Sequence, residues 1–376
     1  MSDLCCPPQL ISCPDAKNRV APGDPPESRR DLPTSIVGEV MSPIGPVPRV
    51  SNQLSQYDRL GMWKVRWGIG RMGYTVAPGL YALGQPDEGS EVLVTANYKM
   101  TFDLLRRCLT NVDVWILVLD TRGVNVWCAA GKGTFGTDEL ARCVEAAGVN
   151  AVVRHRRLIV PQLGAPGIAA HEVRKRTGFS VLYGPVEMRD IPAYLEKGRQ
   201  ATPAMRRKDF PVTERAVLVP MELVPALKWV VMSTGAMALL AGILGRGPFV
   251  ANALLHGSRA FLFMALGTFA GAVATPILLP WVPGRSFALK GAITGLTVAL
   301  ILFGGGFLRG LDGLAWLLLI TAASSFLAMN FTGSSTFTSL SGVKREMKIA
   351  VPAQAVLSLA AIGLWMYALL IPGGVS

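Results

Sequence analysis

The chain has 376 residues, of which 51% are apolar and only 16% charged, with a mean hydropathy of +0.39. That balance excludes an ordinary soluble enzyme, and the length allows about two domains. Of the residues behind the net charge of +12, nine basic and two acidic ones lie beyond Pro225, between apolar runs. No basic stripe with interleaved aromatics occurs, so the pattern points to orientation in a membrane and not to a nucleic-acid partner.

Residues 1–56 are rich in Pro, Ser and Asp and lack lasting periodicity, which predicts a disordered or extended arm. No apolar leader follows the N-terminus, so a reducing cytoplasm is expected for the first half, without disulfides. Residues 57–211 have the mix of a globular domain. Glu91 to Ala96, Val112 to Asp120, Ala151 to Val153, Arg157 to Val160 and Phe179 to Tyr183 read as strands. Phe102 to Leu109, Thr137 to Ala147, Ile168 to Arg176 and Ile191 to Lys197 read as helices, with Thr137 able to cap the second. Strands alternating with helices predict a mostly parallel, Rossmann-like sheet with helices on its faces. Ligands of such sheets sit at the carboxyl ends of the strands, which directs attention to the loops after Val94 and Asp120.

Residues 212–225 read as a linker, and residues 226–376 as an all-α transmembrane domain of five helices. The apolar segments are roughly Ala226 to Gly245, Ala260 to Val282, Phe287 to Phe307, Leu314 to Phe331 and Ile349 to Ile371. Most approach the ~20 residues that cross ~30 Å of hydrocarbon. With the N-terminal domain inside, Arg285, Lys344, Arg345 and Lys348 fall in inner loops, against Arg246, Arg259 and Arg309 outside. That bias predicts a multi-pass protein of the inner membrane with its N-terminal domain in the cytoplasm.

The stretch Asp120-Thr-Arg-Gly-Val-Asn-Val-Trp-Cys-Ala-Ala-Gly-Lys132 begins where a strand is predicted to end. Asn125 can cap a short helix holding Trp127, Cys128 and Ala129, and Gly131 and Gly133 allow the chain to turn. Cys128 then projects from an early helical turn, where the dipole favours a thiolate. Its small neighbours Ala129, Ala130 and Gly131 leave room for a large flat group. Neither a CxxC pair nor a four-cysteine cluster occurs, so no zinc or iron–sulfur site of the chain's own is expected. Taken alone, such a cysteine reads first as a small buried hydrophobe.

Asn125-Val-Trp-Cys-Ala-Ala-Gly-Lys132 resembles the signature of the mercury-methylating corrinoid proteins, the HgcA family. The likeness extends through Asp58 to Trp67, Val94 to Lys99, Pro161 to Pro166, Tyr183 to Pro185 and Met329 to Val343. The soluble part is also similar to the corrinoid iron–sulfur protein of the acetyl-CoA pathway, whose cysteine cluster this chain lacks. The resemblance implies a cobalamin-type corrinoid with Cys128 as the lower axial ligand of its cobalt, and methyl transfer from methyl-Co(III) to Hg(II), giving methylmercury. It further implies a methyl-tetrahydrofolate-dependent methyl donor protein and a ferredoxin-like iron–sulfur reductant. The alternatives are a corrinoid methyl carrier of one-carbon and acetyl-CoA metabolism, or a membrane transporter or sensor.

The usual Asp-x-His-x-x-Gly corrinoid motif is absent, which leaves a soft ligand such as a thiolate to serve cobalt. Thr95, Asn97, Asp120 and Thr121, at strand ends, and Asn125, Val126, Trp127, Ala129, Gly131 and Lys132, around the cysteine, are the candidate corrinoid contacts. Turn, cap and packing roles remain open for them. Cys108 and Cys143 read as core-facing. Cys5, Cys6 and Cys13 are free thiols of the arm, or thiolates for Hg(II). The hydroxyl-rich run Thr332 to Ser341 is either a solvated loop or a surface that docks the corrinoid domain.

Overall fold

The computed structural model describes residues 35–331 and 340–371. Cys5, Cys6 and Cys13 lie outside the described residues, as does the run Thr332 to Ser341 but for the backbone of its last two positions. The chain divides into an α/β unit up to Lys208 and a helical unit from Asp209.

The strands are β1 (Ile36–Ser42), β2 (Gly45–Val50), β3 (Gly79–Leu83), β4 (Val92–Ala96), β5 (Val114–Leu119), β6 (Arg157–Val160) and β7 (Ser180–Tyr183). They form one sheet in the order β1-β2-β3-β5-β4-β6-β7. Every residue of β4 and β5 is buried, as continuous apolar runs must be when helices cover both faces. The helices of this unit are α1 (Gln56–Arg66), α2 (Lys99–Cys108), α3 (Val126–Lys132), α4 (Thr137–Ala146), α5 (Val149–Val152), α6 (Ala170–Thr177) and α7 (Ile191–Glu196). Phe102 and Leu105 of α2 and Tyr194 of α7 pack on the face carrying Leu93, Ile116 and Val118. Ala129, Leu140, Val144 and Val173, from α3, α4 and α6, pack on the face carrying Val94, Leu117 and Leu119. The pairs β2/β3, β4/β5, β4/β6 and β6/β7 are parallel, and β1/β2 and β3/β5 antiparallel.

Three expectations change. Residues 36–50, assigned to the arm, form an antiparallel hairpin on the sheet edge. Its prolines hid it: Pro46 and Pro48 lie outside the short ladder to β3, which uses Arg49 and Val50. The run Ala151 to Val153, read as a strand, falls largely in the short helix α5; three apolar residues are too few for periodicity to decide. Gly136, not Thr137, is the N-cap of α4, and the Thr137 hydroxyl instead accepts from the Ala169 N–H at 2.9 Å.

A buried ion network ties α1 to α2. Arg106 and Asp103 are wholly buried and Asp58 almost so, and the Arg106 guanidinium bridges both carboxylates at 2.7 and 2.8 Å. Lys99 reaches Asp103 at 2.7 Å and also bonds Asp58. Arg106 donates further to the carbonyls of Ser51 and Gln53, fastening the chain between β2 and α1. Burial opposes the charged form of Asp58, but hydrogen bonds from Lys99 and Ser55 outweigh it and hold the carboxyl well below the usual carboxylate range.

The helical unit holds α8 (Val212–Leu244), α9 (Phe249–Phe269), a π-helical turn (Ala270–Ala274), α10 (Thr275–Leu278), α11 (Phe287–Gly304), α12 (Gly310–Asn330) and α13 (Leu340–Leu370). Counting α9 to α10 as one, five helices among the described residues are long and apolar enough to cross a membrane. The linker expected at 212–225 is instead the start of α8, with Pro220 and Pro225 inside it. A proline removes one intrahelical hydrogen bond, which a long apolar helix tolerates. Small residues let helices approach closely: a Cβ on Gly291 of α11 would lie 2.4 Å from Ala328 Cβ of α12.

Replacing Arg106 by Met should destabilise the α/β unit by about 3–5 kcal/mol, because two buried carboxylates lose their shared cation. Chemical denaturation followed by near-UV circular dichroism measures this. The Asp58 contribution should be fully present above the unfolded carboxylate pKa of about 3.9 and vanish as pH falls toward the depressed folded value. An Asp58→Asn protein should therefore show a flatter stability profile below that pH.

Candidate functional site

The connections from β4 and β5 leave toward opposite faces of the sheet, α2 on one and α3 on the other. Between two such neighbouring strands a crevice opens at the carboxyl ends. Asn97 and Asp120 stand at this place, one residue past each strand. Asn97 Nδ2 donates to Asp120 Oδ1 at 2.9 Å. Asn97 Oδ1 accepts from the backbone N–H groups of Thr121 and Gly123 at 3.1 and 3.0 Å, and the Thr121 hydroxyl lies 2.8 Å away. Both ends of the amide are thus engaged in bracing the loop after β5. The Asp120 N–H donates to Glu139 Oε1 at 2.9 Å, which anchors the same loop to α4.

Gly123 is a position only glycine fits. Its φ is +71°, and a Cβ there would fall 2.9 Å from Thr75 Cγ2 and 3.0 Å from the Met72 carbonyl. The loop therefore lies directly against residues 72–75. That segment is itself tied to the end of β4, through Val76 N–H to the Asn97 carbonyl and Lys99 N–H to the Tyr74 carbonyl, both at 2.9 Å.

Asn125 caps α3, as expected. Its Oδ1 accepts from the backbone N–H of Cys128 at 2.9 Å. Gly133, at φ +79°, ends the helix in the left-handed conformation. The helix faces divide cleanly. Val126, Ala129 and Ala130 are buried against the sheet, whereas Trp127 and Cys128 are half-buried and Gly131 and Lys132 exposed. Thr95 is the outlier of the expected set. It alternates with Leu93 onto the α2 face, and its buried hydroxyl has no partner. Cys143 sits in the core as expected, while Cys108 is only half-buried.

Burial pushes the Cys128 thiol up from its ordinary value; the charges of Lys132 and Arg71 and the Asn125 hydrogen bond oppose that without overcoming it. The expected thiolate is therefore a thiol in the protein as it stands. A helix of only about two turns supplies too little field to offset loss of water. Arg71, in the turn Arg71–Gly73, is a residue that sequence reasoning missed. It lies 57 positions from Cys128, and only the packing of Gly123 on residues 72–75 brings the two near.

Among the described residues no three His, Cys, Asp or Glu side chains gather to hold a metal ion. A lone sulfur with an open side fits a metal that brings its own in-plane ligands, as a corrinoid does, and does not fit a bare ion. A separate cleft of about 320 Å³, bordered by Arg49, Asn52 and Asp113, opens at the other end of β5.

Residues 68–195 match the family of the CO dehydrogenase/acetyl-CoA synthase delta subunit. The chain is also similar to acetyl-CoA decarbonylase/synthase complex gamma subunits. That of Methanopyrus kandleri is 35% identical, over 32% of this chain and 26% of the relative. That of Methanothermobacter thermautotrophicus is 36% identical, over 34% and 28%. That of Archaeoglobus fulgidus is 32% identical, over 32% and 26%. The chain thus spans little more than a quarter of the length of these relatives. The family match ends before the helical unit begins.

Alkylation of corrinoid-free protein by iodoacetamide should show Cys128 reacting as a thiol at neutral pH. Its rate should rise at a pH above the ~8.5 of a free cysteine. Lys132→Ala removes a charge that favours the thiolate, so the profile should move to still higher pH. Mass spectrometry of the Cys128 peptide gives the rate at each pH.

Proposed function

We propose that this protein is a membrane-anchored corrinoid protein that carries a methyl group, with Cys128 as the cobalt ligand. The observation that carries the reading is the half-exposed Cys128 thiol, held by the Asn125 cap at the carboxyl end of a sheet matched by acetyl-CoA synthase subunits. A corrinoid, when bound, supplies a cobalt that accepts and gives up a methyl group.

The chain's own residues do the rest. The Asn125 cap fixes the backbone of Cys128, so the sulfur approaches from one direction. Asn97 and Glu139 hold the loop that delivers this cap. To become a ligand, the Cys128 sulfur must lose its proton, and the nearby charges of Lys132 and Arg71 favour the anion that results. Gly131, exposed on the same short helix, adds no side chain there. Lys132, exposed beside it, is placed to meet an amide or phosphate of the corrinoid periphery. Trp127 offers a half-exposed apolar wall.

Two acceptors fit this chemistry. The names of the matched relatives favour a methyl carrier of acetyl-CoA metabolism. The Asn125 to Lys132 motif and the five apolar helices beyond the family match favour Hg(II) as acceptor, with methylmercury as product. A thiolate from Cys128 would supply cobalt with a strongly donating ligand, chemistry that would suit methyl transfer to a soft electrophile such as Hg(II). The membrane is the inner one, with the α/β unit in the cytoplasm. The partners that the family resemblance implies are a methyl-tetrahydrofolate-dependent donor protein and a ferredoxin-like reductant; among the described residues no three metal-ligating side chains gather into a centre of the chain's own.

Cys128→Ala should change the visible spectrum of the anaerobically purified, corrinoid-loaded protein and reduce methyl transfer by at least about 100-fold, the scale of losing a metal's ligand set. An unchanged spectrum would remove the axial role. Cys128→His should retain cofactor but transfer methyl more slowly to Hg(II). Parallel assays with Hg(II) and with a nickel-bound carbon acceptor divide the two readings: the faster acceptor identifies the activity.

A further inference from the structure

The first helix of the α/β unit has two apolar stripes, and the core of the unit uses one of them. On the inner side of α1, Met62 and Val65 are buried, and Asp58, 1% exposed, joins the ion network with Lys99 and Arg106. On the outer side Leu60 and Trp63 are 56% and 57% exposed, and Tyr57 is 79% exposed. At a turn of about 100° per residue, the stripe of Leu60 and Trp63 centres roughly 160° from that of Met62 and Val65. Arg59 borders the outer stripe on one side, and Lys64 and Tyr57 on the other, all of them exposed. Asp58 is the only acidic residue of α1, so the outer face carries no negative charge of its own.

Neighbouring exposed apolar side chains of this size mark an interaction surface. Its composition indicates the partner. Trp and Tyr beside Lys and Arg are the mix of a helix that lies in the headgroup layer of a bilayer. There the rings sit at the boundary with the acyl chains, and long cationic stems reach out to lipid phosphates. A protein interface selects against lysine next to its apolar centre, and so fits this face less well. The chain also brings its own bilayer. Its first membrane-length helix, α8, begins at Val212, with only residues 209–211 between it and Lys208, the last residue of the α/β unit. A surface on so short a tether meets lipid at high effective concentration.

We propose that the outer face of α1 docks on the anionic lipid surface of the membrane that the helical unit spans. Leu60 and Trp63 enter the layer below the headgroups, and Arg59 and Lys64 pair with lipid phosphates. The ion network then gains a second consequence. Asp58 ties α1 to Lys99 and Arg106 of α2, so a docked α1 restrains the whole α/β unit on the lipid surface. The inference rests on the membrane-anchored reading of the helical unit.

The test uses the full chain in nanodiscs and a phospholipid carrying a diazirine near the top of one acyl chain. In discs containing phosphatidylglycerol, peptides of α1 should be labelled at least about fivefold more than those of α6. Helix α6 is the control for charge alone, since it carries Arg174, Lys175 and Arg176 and no large exposed apolar residue. Lys64→Gln should lower the labelling of α1 about fivefold, the worth of one cation at an anionic surface. Discs of phosphatidylcholine alone should lower it further. Leu60→Glu combined with Trp63→Glu should abolish it and leave the denaturation midpoint of the α/β unit unchanged, because both side chains are exposed. Equal labelling of α1 and α6 in the native chain overturns the proposal with no variant needed. Labelling of α1 that is the same in neutral and anionic discs overturns it as well. The peptides of α8 to α13 separate the two failures: if they too are unlabelled, the membrane reading itself falls, whereas labelled spans beside an unlabelled α1 sink only the docking.

Discussion

One side-chain amide joins the two central strands where they end. Asn97 sits one residue past β4, and its carboxamide bonds Asp120, Thr121 and Gly123 beyond β5. The backbone bond from Asn97 N–H to the Leu119 carbonyl is the last between the two strands, and the amide carries their link on into the loop after β5. With it, the loop has one path: through Gly123, against residues 72–75, and into the Asn125 cap of α3. The position of a single sulfur atom is inherited from this chain of contacts. A network of this kind is stiff because almost every member is satisfied within the protein.

The ion network of Asp58, Lys99, Asp103 and Arg106 does related work on the other face of the sheet. Lys99 begins α2 two residues after Asn97, and its backbone N–H bonds the Tyr74 carbonyl. The segment carrying Arg71 is therefore held between the ion network and the loop of the sulfur. Residues near opposite ends of the motif-bearing stretch thus meet through two sets of polar contacts. Their cost in desolvation is offset by close pairing, which makes loss of any one member expensive.

The thiol at the centre shows two influences in opposition. Burial disfavours the thiolate, while two cationic side chains and a capped amide favour it, and burial prevails. In the proposed role as a ligand, such a thiol would stay protonated until a metal displaces the proton. The same logic of incomplete satisfaction recurs in the helical unit, where Gln354 Oε1 is buried without a partner. In both places a polar atom is held in position by its neighbours and left unfinished on one side.

The sequence alone was enough to place β4, β5 and β6, the helices α2, α3 and α4 between them, the Asn125 cap and the five apolar helices. Those features are local: continuous apolar runs, capping residues and segment length carry them without reference to the rest of the chain. It also located Cys128, through a short motif of unusual composition. Only the tertiary structure decided what the remaining candidates do. Asn97, Asp120 and Thr121 looked like ligand contacts at strand ends, yet they bond one another, because the crevice brings residues 23 or more positions apart within reach. Thr95 fell on the opposite face through simple strand alternation. Arg71 approached the sulfur, and the proline-rich residues 36–50 became a hairpin, through pairings between distant segments. Such pairings are set by the shape of the assembled sheet, which no window of neighbouring residues contains.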